Sequence, residues 1–415
     1  MNEFTIPGTT AVRTGLTPQR VLSGMRPTGR LHLGHYHGVL HNWVELQYEH
    51  ECFFFVADWH ALTTEYETPR IIADSVWEMI IDWLAVGVNP GAATLFIQSR
   101  VPEHAELHLL LSMITPLGWL ERVPSYKDQQ EKLNKELSTY GFLGYPLLQS
   151  ADILAYRAGM VPVGEDQVAH VELTREVARR FNYLYGREPG FESRAEAAIK
   201  KLGKRNARLY RELRRRYQEQ GDAQSVEEGQ ALLLQTQQHL SIGDRERLFG
   251  YLEGGGKIIL PEPQPLLTPT AKVPGLDGQK MSKSYGNTIM LREDPESVTR
   301  KLRTMPTDPA RVRRTDPGDP AKCPVWQLHQ VYSTEQTRSW VQEGCRYATI
   351  GCLDCKQPVI DAVLEEQVPI QEKAREYLAQ PDLVRSIILE GCAKARDVAH
   401  ETLEEVRNAV GIAYR

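Results

Sequence analysis

Short apolar runs alternate with helical periodicity from Arg20 to about Thr115. RVLSGM (20–25), CFFFVAD (52–58) and ATLFIQS (93–99) are brief, aromatic or β-branched, and bounded by turn residues, a pattern that predicts buried strands. Leu33, Tyr36, Leu40, Trp43 and Gln47 follow helical spacing, as does the stretch Arg70–Val88. Strand, helix, strand, helix, strand predicts an α/β fold of the Rossmann-like, doubly wound kind, a right-handed parallel sheet covered on both faces. Such sheets bind ligands at the carboxyl ends of their strands.

Residues 121–187 read as mostly helical, with PVGEDQ (162–167) opening a helix through Asn182. The texture then changes. From Arg194 to Arg216 ten Lys and Arg stand against two Glu, followed by a Gln-rich stretch, an apolar patch (Leu232–Leu234, Leu248, Phe249, Leu252) and the triple glycine 254–256. This predicts an inserted helical module over 188–265, with PEPQP (261–265) as a flexible return. A tail (1–19) precedes the first α/β segment (20–187), the main fold resumes over 266–292, and 293–415 reads helical with Pro-rich breaks at 306–320. Leu383, Ile387, Cys392, Ala395, Val398, Thr402 and Val406 form an apolar stripe on a long terminal helix.

The 415 residues fit two or three domains, at about 100–200 residues each. With 41% hydrophobic and 25% charged residues, disorder and fibrous structure are excluded. The net charge of −5 does not exclude an RNA partner, because binding depends on where cations gather. The first twenty residues lack the apolar core of a secretory signal, and no apolar run is long enough for a bilayer. Six cysteines are too few for a disulfide scaffold, so a reducing cytoplasm and no membrane association are expected.

Two motifs carry chemistry. In SGMRPTGRLHLGHYHG (23–38) a strand ends, glycines flank a tight turn, and HLGH (32–35) opens a helix. The free N–H groups and dipole of a helix start attract phosphate, and His32 and His35 add donors beside it. Alone, these histidines would read as ordinary helix-surface residues. Far downstream, GQKMSKSYGN (278–287) is a glycine-bracketed, hydroxyl-rich loop with Lys280 and Lys283, suited to charge developing at an α-phosphate. Alone, it would read as a solvated basic loop. Their order in one chain, after a strand-to-helix turn and before a helical tail, favours a joint role.

At these residues the sequence resembles the class I aminoacyl-tRNA synthetases, whose paired signatures stand here as HLGH (32–35) and KMSKS (280–284). VADWHALT (56–63), GYPLLQSADIL (144–154) and VPVGEDQ with HVELTRE (161–176) resemble the tryptophanyl branch of that family. The resemblance implies activation of L-tryptophan by ATP with Mg²⁺, then transfer to tRNA(Trp), by a homodimer. It implies catalytic roles for His32, His35, Lys280 and Lys283, and ATP contacts by Arg26, Pro27, Thr28, Gly34, His35 and Lys283. Gly164, Glu165 and Asp166 would face the ribose and Val273 the adenine, Tyr145 and Gln167 would hold the substrate amino group, and Asp152 would accept the indole N–H. A buried carboxylate penalises substrates without a donor, although Asp152 could also cap a helix starting at Ile153. Arg26 departs from the family pattern, since many bacterial members carry Gln there.

Cys323, Cys345, Cys352 and Cys355 form C-x21-C-x6-C-x2-C. Two intervening residues let both thiolates of a CxxC reach one centre. Structural zinc and buried free thiols are the other readings. A subset of bacterial tryptophanyl synthetases is similar in carrying a [4Fe-4S] cluster here, which the resemblance extends to these four cysteines, within a helical anticodon-binding domain where Arg311, Arg313 and Arg314 would meet phosphate. The rival functions are a tyrosyl-type synthetase, a small nucleotidyltransferase, and an inactive RNA-binding paralogue.

Overall fold

A computed structural model describes residues 20–123, 139–164, 167–220, 222–267 and 273–414. Its centre is a five-stranded sheet, all parallel, in the order β3-β2-β1-β4-β5. The strands are β1 (Arg20–Met25), β2 (Glu51–Val56), β3 (Ala93–Ile97), β4 (Met160–Val163) and β5 (Gln264–Leu267). Burial on both faces explains why β2 and β3 read as unbroken apolar runs.

After β1 the chain turns into α1 (Leu33–His35), passes through a π-helical segment (Tyr36–Leu40), and continues as α2 (His41–Leu46). Helices α3 (Asp58–Glu65), α4 (Arg70–Ala85), α5 (Glu103–Ser112), α6 (Leu117–Glu121), α7 (Tyr140–Ala155) and α8 (Val168–Tyr185) complete the first segment. β4 corrects the helical reading of 121–187, because MVPV is short and flanked by stronger helical patterns. β5 likewise corrects the flexible return at PEPQP. Two prolines beside a short polar run hide it, and it is tolerated as an edge strand.

Between α8 and β5 lie α9 (Phe191–Lys201), α10 (Gly203–Gln220), α11 (Ala223–Gln235) and α12 (Ile242–Leu252), around their own apolar cluster of Ile199, Tyr210, Leu213, Leu233, Leu248 and Phe249. The glycine-rich exit is packed. Lys257 N–H donates to Gly186 O at 2.8 Å, and Asn182 Oδ1 accepts from the N–H groups of Ile259 and Leu260.

The carboxyl-terminal helices are α13 (Pro295–Thr304), α14 (Pro324–Tyr332), α15 (Glu335–Arg346), α16 (Cys352–Leu378) and α17 (Pro381–Val410). α17 lies so close to edge strand β3 that a Cβ at Gly391 would overlap the Leu95 carbonyl. The buried stripe of α17 begins with Val384 and Ile388, while Leu383 is exposed, so the predicted stripe is one position out of phase at its start.

Candidate active site

At the carboxyl ends of β1, β2 and β4 a cavity of about 350 Å³ opens. Arg26, Tyr145, Asp152, Gly164 and Gln167, singled out from the sequence, all line it, together with His60, Gln149 and His170, which were not. Glu165 and Asp166 lie outside the described residues. Arg26 opens on this cavity without a side-chain hydrogen bond to another described residue; the surrounding protein lowers its pKa, opposed by Tyr145 and Glu65. Tyr145 Oη and His170 Nε2 are 3.3 Å apart.

Asp152 is buried on α7, and both of its carboxylate oxygens meet donors. His60 Nε2 stands 2.7 Å from Oδ2, and Gln98 Nε2 and His104 Nδ1 stand 2.7 and 2.6 Å from Oδ1. Burial alone would push the carboxyl up. The charges and hydrogen bonds of the two histidines outweigh it and hold Asp152 well below the usual carboxylate range. Asp152 lies deep inside α7, so the helix-cap reading does not apply.

The two signatures meet through the backbone. Leu33 N–H donates to Ile289 O at 3.0 Å and Leu291 N–H to Leu31 O at 2.9 Å, so the segment after KMSKS pairs antiparallel with the entry to HLGH. Lys283 Nζ donates to Thr28 O at 3.0 Å. The His32 and His35 rings lie against each other, tilted by 38° with centroids 3.8 Å apart, and His32 N–H donates to His35 Nδ1 at 3.2 Å, which puts the proton of a neutral His35 on Nε2. A Cβ at Gly34 would press on the His32 ring at 3.0 Å. Burial first, then Lys283, lowers His32 to about 4; burial, His32 and the two lysines lower His35 as well. Both rings are therefore neutral donors at pH 7. Burial also lowers Lys283 to about 8.

The KMSKS loop is pinned by buried Asn287, a residue whose type and position in the sequence gave no sign of this role. Its Oδ1 accepts from Ser282 N–H at 2.8 Å, and its Nδ2 donates to Lys280 O at 3.1 Å and Asp277 Oδ1 at 2.7 Å. Pro27 and Val273 are buried, and neither lines the cavity.

The four cysteines come from three helix ends: Cys323 caps α14, Cys345 lies in the last turn of α15, and Cys352 and Cys355 occupy the first turn of α16. Burial raises Cys355 to about 12, and the other three thiols add to that rise, so all four share one neighbourhood. His329 Nε2 is 3.4 Å from Cys355 Sγ. No group of three His, Cys, Asp or Glu side chains among the described residues is set to hold a metal ion. Arg311 is buried, donating to Ile350 O and lying beside Cys345, which corrects its expected role as a phosphate contact; Arg313 and Arg314 are exposed.

Comparison with known proteins adds a further finding. The sequence model of the family described as tRNA synthetases class I (W and Y) matches residues 16–202 and 235–366. A tryptophan–tRNA ligase of Ralstonia nicotianae is 72% identical over 398 residues, covering 96% of this chain and 99% of the relative. That of Thermotoga maritima is 43% identical, covering 95% and 100%. The crystal structure of the Campylobacter jejuni tryptophanyl-tRNA synthetase complexed with ADP and tryptophan superposes with a TM-score of 0.70 at 26% identity, over 94% of this chain and 99% of that one.

Proposed function

The chain belongs to the class I tRNA synthetases for tryptophan and tyrosine, and from that premise we propose that it acts as a tryptophan–tRNA ligase in the following way. A tryptophan carboxylate oxygen attacks the α-phosphorus of ATP, the bond to the bridging oxygen breaks, and pyrophosphate leaves with that electron pair. The terminal ribose hydroxyl of tRNA(Trp) then attacks the tryptophanyl carbonyl and releases AMP. The observation that carries the choice of tryptophan is a buried, ionised Asp152 in the wall of the cavity beside the paired signatures. A buried, ionised acceptor selects a side chain whose one polar atom is a donor.

In this reading His32 and His35 donate neutral N–H bonds to phosphate oxygens, and Lys280 and Lys283 stabilise the charge on the departing pyrophosphate. Mg²⁺ arrives with ATP. Arg26, Pro27, Thr28 and Gly34 form the phosphate wall, Gly164, Glu165 and Asp166 face the ribose, Val273 the adenine, and Tyr145 and Gln167 the substrate amino group. ATP–pyrophosphate exchange with each of the twenty amino acids tests the assignment. Exchange with tryptophan alone supports it; exchange driven by tyrosine would redirect it to the other branch.

Residues 293–415 are proposed to bind the anticodon arm, with Cys323, Cys345, Cys352 and Cys355 as ligands of a [4Fe-4S] cluster. Four thiols drawn from three neighbouring helix ends are the donor type such a cluster takes, although their present arrangement is not that of a formed site, and the bound group would supply iron–thiolate bonds that fasten those ends together. Zinc could serve the same purpose. Anaerobic purification followed by iron, acid-labile sulfide and zinc analysis decides between them. A homodimer through the helices of 121–187 is proposed, where Tyr140 on α7 and Tyr183 and Leu184 on α8 are exposed. A monomeric mass by sedimentation would refute the dimer. Among the described residues no helix is long and apolar enough to cross a membrane. The module of 188–265 is proposed as an additional contact to tRNA.

A further inference from the structure

Behind the Asp152 carboxylate lies a second layer that never reaches the cavity. Gln98, His104 and Tyr156 are all fully buried, and none lines the pocket. His104 faces Asp152 Oδ1 with Nδ1 at 2.6 Å and the Tyr156 hydroxyl with Nε2 at 2.7 Å. An ionised carboxylate only accepts, so Nδ1 must carry a proton. In a neutral imidazole Nε2 then accepts, and its partner must be the Tyr156 O–H. Burial, with the nearby Asp152 charge, keeps that phenol protonated by raising its pKa well above 10. His104 Nδ1–H thus donates to Asp152 in either charge state, and with a neutral ring the donors run from Tyr156 through His104 to Asp152.

The count of acceptor sites gives this layer its purpose. Oδ1 receives two donors from behind, Gln98 and His104. Among the described residues Oδ2 receives only His60, which itself lines the cavity. A carboxylate offers about four acceptor positions, two on each oxygen, so Oδ2 retains one on the side where substrate enters. Remove the donors on Oδ1, and the carboxylate is free to rotate, to take a proton, or to satisfy itself elsewhere.

We propose that His104, oriented by Tyr156, is a positioning residue for tryptophan recognition: it holds Asp152 ionised and turned so that Oδ2 can accept the indole N–H. This rests on Asp152 being the indole receptor. Neither His104 nor Tyr156 touches substrate in this arrangement, so their loss acts on selectivity and KM before it acts on the chemical step.

The test is ATP–pyrophosphate exchange with tryptophan and with its benzothiophene isostere, in which sulfur replaces the indole N–H. His104→Leu should raise KM for tryptophan about tenfold or more, leave kcat within about threefold, and narrow the preference for tryptophan over the isostere by about tenfold. Its KM should also climb as the pH is lowered, because a less supported buried carboxyl protonates more readily. His104→Asn, whose amide N–H can stand near the position of Nδ1–H, should recover most of both. Tyr156→Phe removes one hydroxyl, and is expected to shift KM and preference in the same direction by about threefold. It carries the test if His104→Leu does not fold. Unchanged preference in His104→Leu or Tyr156→Phe, or an equal fall in kcat for both amino acids without recovery by Asn, would overturn the proposal. An Asp152→Asn enzyme that keeps the full preference for tryptophan would instead overturn the receptor assignment beneath it.

Discussion

Asp152 and Lys283 carry opposite charges in one site, and burial presses on both. For Asp152, the charges and hydrogen bonds of two histidines outweigh the cost of burial. Replacing it by Asn should therefore cost about 10- to 1,000-fold in kcat/KM for tryptophan, with most of the loss in KM, because the site exchanges an acceptor for a group that can also present an unpaired donor. Lys283 is compensated only in part, by the Asp82 charge, and its pKa falls from 10.5 to about 8. The sign follows from proton counting. Between about pH 8 and 10.5 the unfolded chain holds this proton and the folded chain has released it, so stability contributed by this group rises with pH across that window. Activity moves the other way, since the neutral amine no longer stabilises departing phosphate. Exchange at low ATP should decline above about pH 8. Saturating ATP, by pairing the ammonium with phosphate, should move that limb upward, and Lys283→Gln should be slow at every pH. A profile flat to pH 10 at low ATP would contradict the assignment.

At the scale of elements, the same motifs that were legible in the sequence were legible because their residues are adjacent. HLGH sits on a helix start after β1, as its glycines and its position after an apolar run predict. The contacts that unite it with KMSKS were not legible: backbone pairing of Leu31 and Leu33 with Ile289 and Leu291 leaves no mark on residue type. Asn287 reads as a turn residue in YGN, yet it holds three groups of the loop. Asn287→Ala should free the loop, raise KM for ATP and lower kcat about tenfold, and expose 278–286 to limited proteolysis. Unaltered kinetics with increased proteolysis would separate loop order from catalysis. His60 lay inside VADWHALT without an assigned role, and His104 and Tyr156 belong to separate helices whose convergence only the fold reveals. β4 and β5 were missed for a related reason. A four-residue strand gains its stability from its neighbours in the sheet, so its own pattern is too short to declare it.

In the whole molecule the inserted module is fastened to both larger parts by one cluster of charges. Arg157, at the turn after α7, lies 2.7 Å from Glu405 of α17 and 3.7 Å from Glu246 of α12, and Lys257 lies 3.3 and 3.2 Å from the same two carboxylates. The module is thus held in a fixed orientation, and what its surface presents matters. Its excess of cations, counted as ten basic against two acidic residues in 194–216, is partly spent inside the module. Arg194 pairs with Glu188, Arg211 with Glu196, Arg215 with Glu212 and Lys201 with Asp244, while Arg214 lies over the Tyr251 ring. Lys200, Lys204, Arg205 and Arg208 are exposed and carry no ion pair to a described residue. These four cations gathered at the junction of α9 and α10, of which Arg208 feels a nearby carboxylate, Glu212, are where an RNA backbone would gain most from counterion release. Changing all four to Gln should leave tryptophan-dependent pyrophosphate exchange intact, raise KM for tRNA several-fold at low salt, and reduce the salt slope of tRNA binding by about 0.7–0.9 for each phosphate that is no longer neutralised. An unchanged slope would mean that these side chains only solvate the module, and the tRNA contacts would then lie with Arg313 and Arg314 of the helical domain.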